Sequence, residues 1–171
     1  GIGRAAAVDL KNQGIAAIAL VDMAENVRNV AKELNAESGN DTVRAFQGDT
    51  TDEMFRKNVF DTMRRDFGPV NICLPAAGIT RDDLAVRVNT EKGKANIYPI
   101  ENFRQVLEVN LIAPTYWALE LVAQMAEDRF TRGLKKWNPE EGVQGVIVFI
   151  GSVSSQGNKG LPRIISLANA P

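Results

Sequence analysis

The chain opens with GIGRAAAVDLKNQGIAAIALVD, residues 1–22, and the reading of this stretch decides the fold. Gly1, Ile2 and Gly3 stand directly before a helical segment, residues 4–13, that Gly14 ends. An apolar run of strand length follows over residues 15–21, closed by Asp22. Glycines ahead of a helix let an anion approach the free N–H groups of the first turn, where the helix dipole favours negative charge. Asp22 stands 19 residues after Gly3. A dinucleotide fold places a carboxylate about 20 residues on, where it binds ribose hydroxyls. Taken alone, the same residues also read as a loop glycine pair and a strand-end cap. The other strand ends weigh between the two.

Moving outward, apolar runs and helical stripes alternate. Ala24, Val27, Val30, Ala31 and Leu34 recur at spacings of three and four, which predicts a helix over residues 24–35. Residues 42–47, TVRAFQ, predict a weaker strand. Thr50 and Glu53 have the spacing of a capping box at the start of a helix carrying Phe55, Val59, Met63 and Phe67. Gly68-Pro69 ends it. Residues 70–74 predict the next strand. A long helix is expected over 101–131, with Phe103, Val106, Leu107, Leu111, Ala118, Leu121, Val122 and Met125 on its stripe and a bend at Pro114. Residues 143–150 end in VIVFI, apolar on both faces, as a central parallel strand reads. The stretch 80–100 is polar and long for a connection, and reads as a functional loop. The order implies an α/β fold, a Rossmann-type doubly wound parallel sheet in three α/β/α layers. Residues 1–171 form a single domain in this reading, with no internal repeat or linker.

Composition narrows the chemistry. Lys and Arg number 20 against 21 Asp and Glu, a net charge of −1, which lacks the electrostatic footprint of a nucleic-acid binder. The chain has no histidine, which excludes Ser-His-Asp and Cys-His catalysis and histidine metal sites within it. Its single cysteine, Cys73, permits no internal disulfide and fits a reducing, cytoplasmic setting. No metal site is expected, because no carboxylate cluster has suitable spacing. The longest charge-free run, residues 142–158, is too short and too polar to span a bilayer, and no membrane association is expected. Arg129, Arg132, Lys135 and Lys136 with Trp137 read as a solvated helix end and loop.

In open α/β sheets, ligands bind beyond the carboxyl ends of the strands. Asp22 follows the first strand, and Gly48-Asp49-Thr50 the second. Pro75-Ala76-Ala77-Gly78 follows the third, and Gly151-Ser152 the fourth. Small or acidic residues at four strand ends in order favour the dinucleotide reading. Asn110 sits on the apolar stripe of the long helix; it is either a kink residue bonded to backbone near Pro114 or a polar group aimed into a site. Ser152 is either a strand-end hydroxyl in the loop GSVSS or a hydrogen-bond donor to a substrate oxygen.

Together these motifs resemble the short-chain dehydrogenase/reductase family. GIG resembles the end of its TGxxxGIG cofactor loop, GDTTD its adenine-side turn, EVNL its helix-borne asparagine motif and IGSVSS its catalytic-serine loop. PAAG stands where the family has NNAG, without either asparagine. AGITRDDL and GSVSSQGNKG look closest to the 3-oxoacyl-thioester reductases of that family. The resemblance implies hydride transfer between a nicotinamide dinucleotide and a carbonyl or secondary alcohol. It assigns Gly1, Ile2, Gly3, Asp22, Asp49, Thr50, Ala76, Ala77 and Gly78 to the cofactor. It assigns Ser152 to polarising the carbonyl and Asn110 to holding a relay water. Asp22 implies NAD rather than NADP, since a carboxylate repels a 2′-phosphate.

The family's Tyr-x-x-x-Lys pair is expected at 165 and 169, where this chain has Ile165 and Asn169. Tyr98 and Tyr116 lie elsewhere, and Lys159 is at the wrong spacing. The chain as written is therefore expected to have little or no activity. The alternatives are a dinucleotide-binding pseudoenzyme and an interaction module. A Rossmann-type sheet also needs a strand before Gly1, between the Asp22 and Cys73 strands. The domain is therefore expected to be incomplete at both ends. Homodimers or homotetramers that pair the long helix are a further expectation from the resemblance.

Overall fold

The structure is a computed structural model that describes residues 1–39 and 41–152. Two parallel strand pairs lie against one shared helix layer. The first pair is β1 (Ile18–Asp22) and β2 (Val43–Gln47), in register from Ile18 opposite Val43 to Asp22 opposite Gln47. The second is β3 (Ile72–Cys73) and β6 (Val146–Ile147), with Cys73 opposite Ile147. Among the described residues β1 and β3 do not pair with each other.

Strand alternation builds the layers around the first pair. Ile18, Leu20, Val43 and Ala45 face α1 (Ile2–Asn12) and α2 (Val27–Ser38), packing with Ala7, Ala31 and Leu34. Ala19, Val21 and Phe46 face the opposite way. They meet Val59 and Phe60 of α3 (Glu53–Phe67), and Ala113, Trp117 and Leu121 of a long helix. Cys73 and Ile147 join the same cluster, so α3 and the long helix cover both strand pairs. This is the expected three-layer α/β architecture, and burial of β1 on both faces explains its uninterrupted apolar run.

Local chemistry corrects several boundaries. α1 starts at Ile2 and so contains Gly3, with Gly1 as its N-cap. α2 starts at Val27, because residues 24–26 form a turn stitched by the Asp22 carboxylate and the Ala24 carbonyl. The N-cap of α3 is Asp52, whose carboxylate accepts the Phe55 N–H at 2.9 Å; Thr50 is not the cap. Asp52 is one of the strongest cap residues and sits immediately before the helix.

The polar stretch 80–100 is not an irregular loop. It contains an antiparallel hairpin, β4 (Val86–Asn89) and β5 (Lys94–Ile97), turned through Gly93 at φ 62°. The hairpin is anchored by Tyr98, which is buried. Its N–H donates to Ala85 and its hydroxyl to the Arg81 carbonyl.

The long helix runs as α4 (Ile100–Leu107), a π turn (Glu108–Ile112) and α5 (Ala113–Thr131). The distortion expected at Pro114 is this π turn. Its extra residue sets the buried stripe of α5 to Ala113, Trp117 and Leu121, and leaves Leu111 and Val122 exposed. By length and composition, Ile100–Thr131 is apolar enough to cross a membrane. Here one face of it is core. β6 also departs from its reading: Ile147 packs inward, but Val146 and Val148 are exposed, because the strand is covered on one face among the described residues.

Candidate functional site

The carboxyl ends of the parallel strands carry the residues singled out in the sequence. The N-terminus of α1 lies against the loop after β3. A Cβ added at Gly3 would sit 3.8 Å from Ala76 Cβ. Among the described residues no side chain caps this helix and its first turn has no acidic residue, so its first N–H groups are left without a side-chain acceptor.

Two residues on, Gly78 approaches Asn110. A Cβ at Gly78 would lie 3.5 Å from Asn110 Oδ1. Asn110 Nδ2 donates to the Ile79 carbonyl at 2.9 Å, and Oδ1 accepts the Ile79 N–H at 2.9 Å. Asn110 is therefore not bonded to backbone near Pro114; it reaches across 31 residues to the loop after β3. It sits inside the π turn, which aims it there. Pro114 lacks the N–H that would be the α-helical partner of the Asn110 carbonyl.

A second group forms at the end of the first strand pair. The Gly48 N–H donates to the Asp22 carbonyl at 3.0 Å, which joins the two strand ends. The exposed Asp22 carboxylate accepts the Ala24 N–H at 2.9 Å. Asp49 Oδ1 accepts the N–H of Thr51 at 2.9 Å and its hydroxyl at 2.8 Å, an Asx turn that shapes the GDTTD segment. The Thr50 carbonyl accepts Trp117 Nε1 at 2.9 Å. One helix thus holds both groups: Asn110 fixes the loop after β3, and Trp117 fixes the turn after β2.

Ser152 is half-buried and follows β6. β6 pairs in parallel with β3 through Cys73 and Ile147, and Gly78 and Ser152 stand the same number of residues beyond them. Both therefore leave the same edge. Gly3 with Ala76, Gly78 with Asn110, and Asp22 with Gly48-Asp49 are the direct juxtapositions. Ile165, Asn169 and Lys159 lie outside the described residues.

Sequence reading missed the parts played by Trp117 and Ile79. Trp117 had a signal, an indole on an apolar stripe, since a buried N–H needs an acceptor. Ile79 had none, because its part is played by backbone. Cys73 is buried, and burial pushes its thiol up to about 11, so it offers no thiolate nucleophile. A groove of about 360 Å³ between α5 and residues 69–71 lies at the opposite, amino end of β3 and β6 and contains none of the residues singled out for the site.

A family model described as short chain dehydrogenase matches residues 1–165. The chain belongs to the short-chain dehydrogenase family. It is similar to a 3-oxoacyl-[acyl-carrier-protein] reductase of Haemophilus influenzae, 26% identical over 169 residues, which covers 94% of this chain and 54% of that enzyme. A mouse 3-oxoacyl-[acyl-carrier-protein] reductase is 38% identical over 91 residues, 53% of this chain and 36% of the mouse protein. Among solved structures, a variant of a Serratia marcescens short-chain dehydrogenase/reductase superposes with a TM-score of 0.72 at 20% identity. That match covers 99% of this chain and 58% of the other. The chain spans about half the length of the bacterial reductase it matches. Short-chain dehydrogenase folds are Rossmann-like, in agreement with the α/β layers above.

Proposed function

We propose that this chain forms the dinucleotide-binding part of an oxidoreductase that moves hydride between NAD and a carbonyl or secondary alcohol. The observation that carries the reading is the approach of Gly3 to Ala76, close enough that a Cβ at Gly3 would touch it, beside the Gly78–Asn110 approach. It sets an uncapped helix N-terminus beside the loop after β3, which supports a shared dinucleotide crevice. The residues fit the cofactor. The free N–H groups at Gly1, Ile2 and Gly3 suit a pyrophosphate. The Asp22 carboxylate suits ribose hydroxyls, and Asp49 with Thr50 suits the adenine. Ala76, Ala77 and Gly78 leave room for the dinucleotide along the loop.

When bound, a nicotinamide supplies the hydride donor or acceptor. The chain's own residues orient the reactants. Ser152 donates its hydroxyl hydrogen to the substrate oxygen. Asn110 acts as a positioning residue, with both amide atoms engaged by Ile79; its backbone carbonyl is the group left to hold a relay water. A 3-oxoacyl thioester is the favoured substrate class, in line with the names of the two reductases it resembles.

Asp22 favours NAD over NADP by repelling a 2′-phosphate. Arg28 lies in the same corner, its guanidinium 3.3 Å from Gln47 Oε1, and Gln47 is the cross-strand partner of Asp22. Titrating the chain with NADH and NADPH by fluorescence tests both points. NADH is expected to bind more tightly, and Asp22→Asn to narrow the gap. Binding of neither would overturn the reading.

Ile165 and Asn169 favour a second reading, a pseudoenzyme that binds dinucleotide without turnover. NADH binding with no carbonyl reduction, and reduction regained in an Ile165→Tyr/Asn169→Lys variant, would establish it. Ile112 at the end of the π turn and Tyr116, Leu119 and Ala123 of α5 form an exposed stripe turned from the core, suited to a homodimer or homotetramer. Light scattering on Leu119→Glu tests that assembly, and a cytoplasmic setting accompanies it in this proposal.

A further inference from the structure

The loop between α5 and β6 has a construction the dinucleotide reading does not use. Arg129 clamps it. The guanidinium pairs with both carboxylate oxygens of Glu141 and donates to the Lys136 carbonyl at 2.9 Å. Glu141 Oε1 also accepts the Asn138 N–H at 3.0 Å, and Asn138 caps a short 3₁₀ turn, Pro139–Glu141. The loop is thus an ordered, pinned shape, yet large apolar residues in it and at the end of α5 are exposed. Phe130 is 76% exposed, Trp137 63% and Val143 83%.

Three of the carboxylates around them are paired. Asp128 is neutralised by Arg132 at 2.7 Å, Glu141 by Arg129, and Glu127 by Arg64 at 2.8 Å. Lys135, Lys136 and Glu140 are exposed and enter no ion pair among the described residues, which leaves the loop one net positive charge with the two lysines adjacent. A soluble polyanion would use the lysines and leave the aromatic residues wet. Apolar side chains beside a lysine pair with a net positive charge match both layers of an anionic membrane surface, acyl boundary and headgroup.

We propose that the end of α5 and the loop after it, Phe130–Val143, dock on an anionic phospholipid surface, with Trp137 and Phe130 entering the interface and Lys135 and Lys136 on the headgroups. The loop precedes β6, at the amino end of the sheet, so docking leaves the carboxyl-edge crevice facing away from the bilayer. This goes beyond the solvated-loop reading of these residues and is independent of cofactor chemistry.

The test mixes the full chain with vesicles of phosphatidylcholine alone or with added phosphatidylglycerol, followed by sedimentation and tryptophan emission. Trp117 is buried, so the exposed Trp137 reports. A blue shift and co-sedimentation with the anionic vesicles only, weakened by salt, are expected. Lys135→Gln/Lys136→Gln should weaken binding about tenfold or more. Trp137→Ser should abolish the blue shift and reduce sedimentation. Both variants alter exposed side chains, and circular dichroism checks that they fold. No binding to either vesicle, equal binding to both, or binding to heparin but not to vesicles would each overturn the proposal.

Discussion

Asn110 and Ile79 exchange two hydrogen bonds, both at 2.9 Å, between the middle of a helix and the backbone of the loop after β3. An amide is the only neutral side-chain group that offers a donor and an acceptor at the spacing of a peptide unit. The pair works as a one-residue piece of sheet, and it holds Gly78 in close approach to the helix. Asn110→Leu should destabilise the chain by about 1–3 kcal/mol, because it leaves the half-buried Ile79 N–H and carbonyl unpaired. Denaturant melts measure it. Asn110→Asp, which keeps only the acceptor, should fall between. If both variants melt like the parent, the exchange contributes nothing.

The turn after β2 depends on Gly48 lacking a side chain. A Cβ there would lie 2.5 Å from Phe55 Cε2 and 2.7 Å from two more ring atoms. The ring cannot swing freely, since it packs edge-on to Trp117 with centroids 6.4 Å apart. Gly48→Ala should cost about 1–3 kcal/mol by overpacking. It should also disturb the Asp49–Thr50 turn, whose Thr50 carbonyl is held by Trp117. Combining it with Phe55→Leu should recover part of the loss in a thermal melt; no recovery would place the strain elsewhere.

Gln124 is buried at 4% exposure on α5, and its Oε1 has no hydrogen-bond partner among the described residues. A buried carbonyl oxygen without a donor is costly. Gln124→Met keeps the length and removes the polar oxygen. It should leave stability unchanged or raise it by about 1 kcal/mol. A clear loss of stability would show that the amide has a partner in solution.

The loop clamp should respond to acid. The Arg129 guanidinium, followed by the Asn138 N–H, holds the Glu141 carboxyl below the usual carboxylate range. A lowered folded-state pKa means that the pair's contribution is complete above the unfolded value, about 4.3. The contribution fades as pH falls through the lower folded value. The exposed Trp137 should change its emission over that acid range. Glu141→Gln should flatten the response, and an unchanged profile would show that the clamp does not titrate there.

The alternation of apolar runs and stripes was legible because it reflects local periodicity: Ile18 and Leu20 face one helix layer, Ala19 and Val21 the other. The four strand-end motifs were legible for the same reason, since glycines and acids mark places where the chain stops being core. The cap of α3 was misplaced because Thr50 and Asp52 both suit an N-cap, and only backbone geometry chooses Asp52. The hairpin over 86–97 was hidden because its stability rests on Tyr98 docking back to Arg81 and Ala85, contacts across more than ten residues.

Composition and spacing thus established the α/β class, the rim that carries small and acidic residues, and the absence of histidine chemistry within the chain. Partner choice was settled in three dimensions. Asn110 could have bonded within its own helix or reached outward; a π turn that no propensity scale marks aimed it at Ile79. Trp117 could have been plain core, and it became the hook on Thr50. Hydrogen bonds between residues far apart in sequence depend on where packed helices bring them, and that placement is a property of the assembled layers rather than of any window of residues.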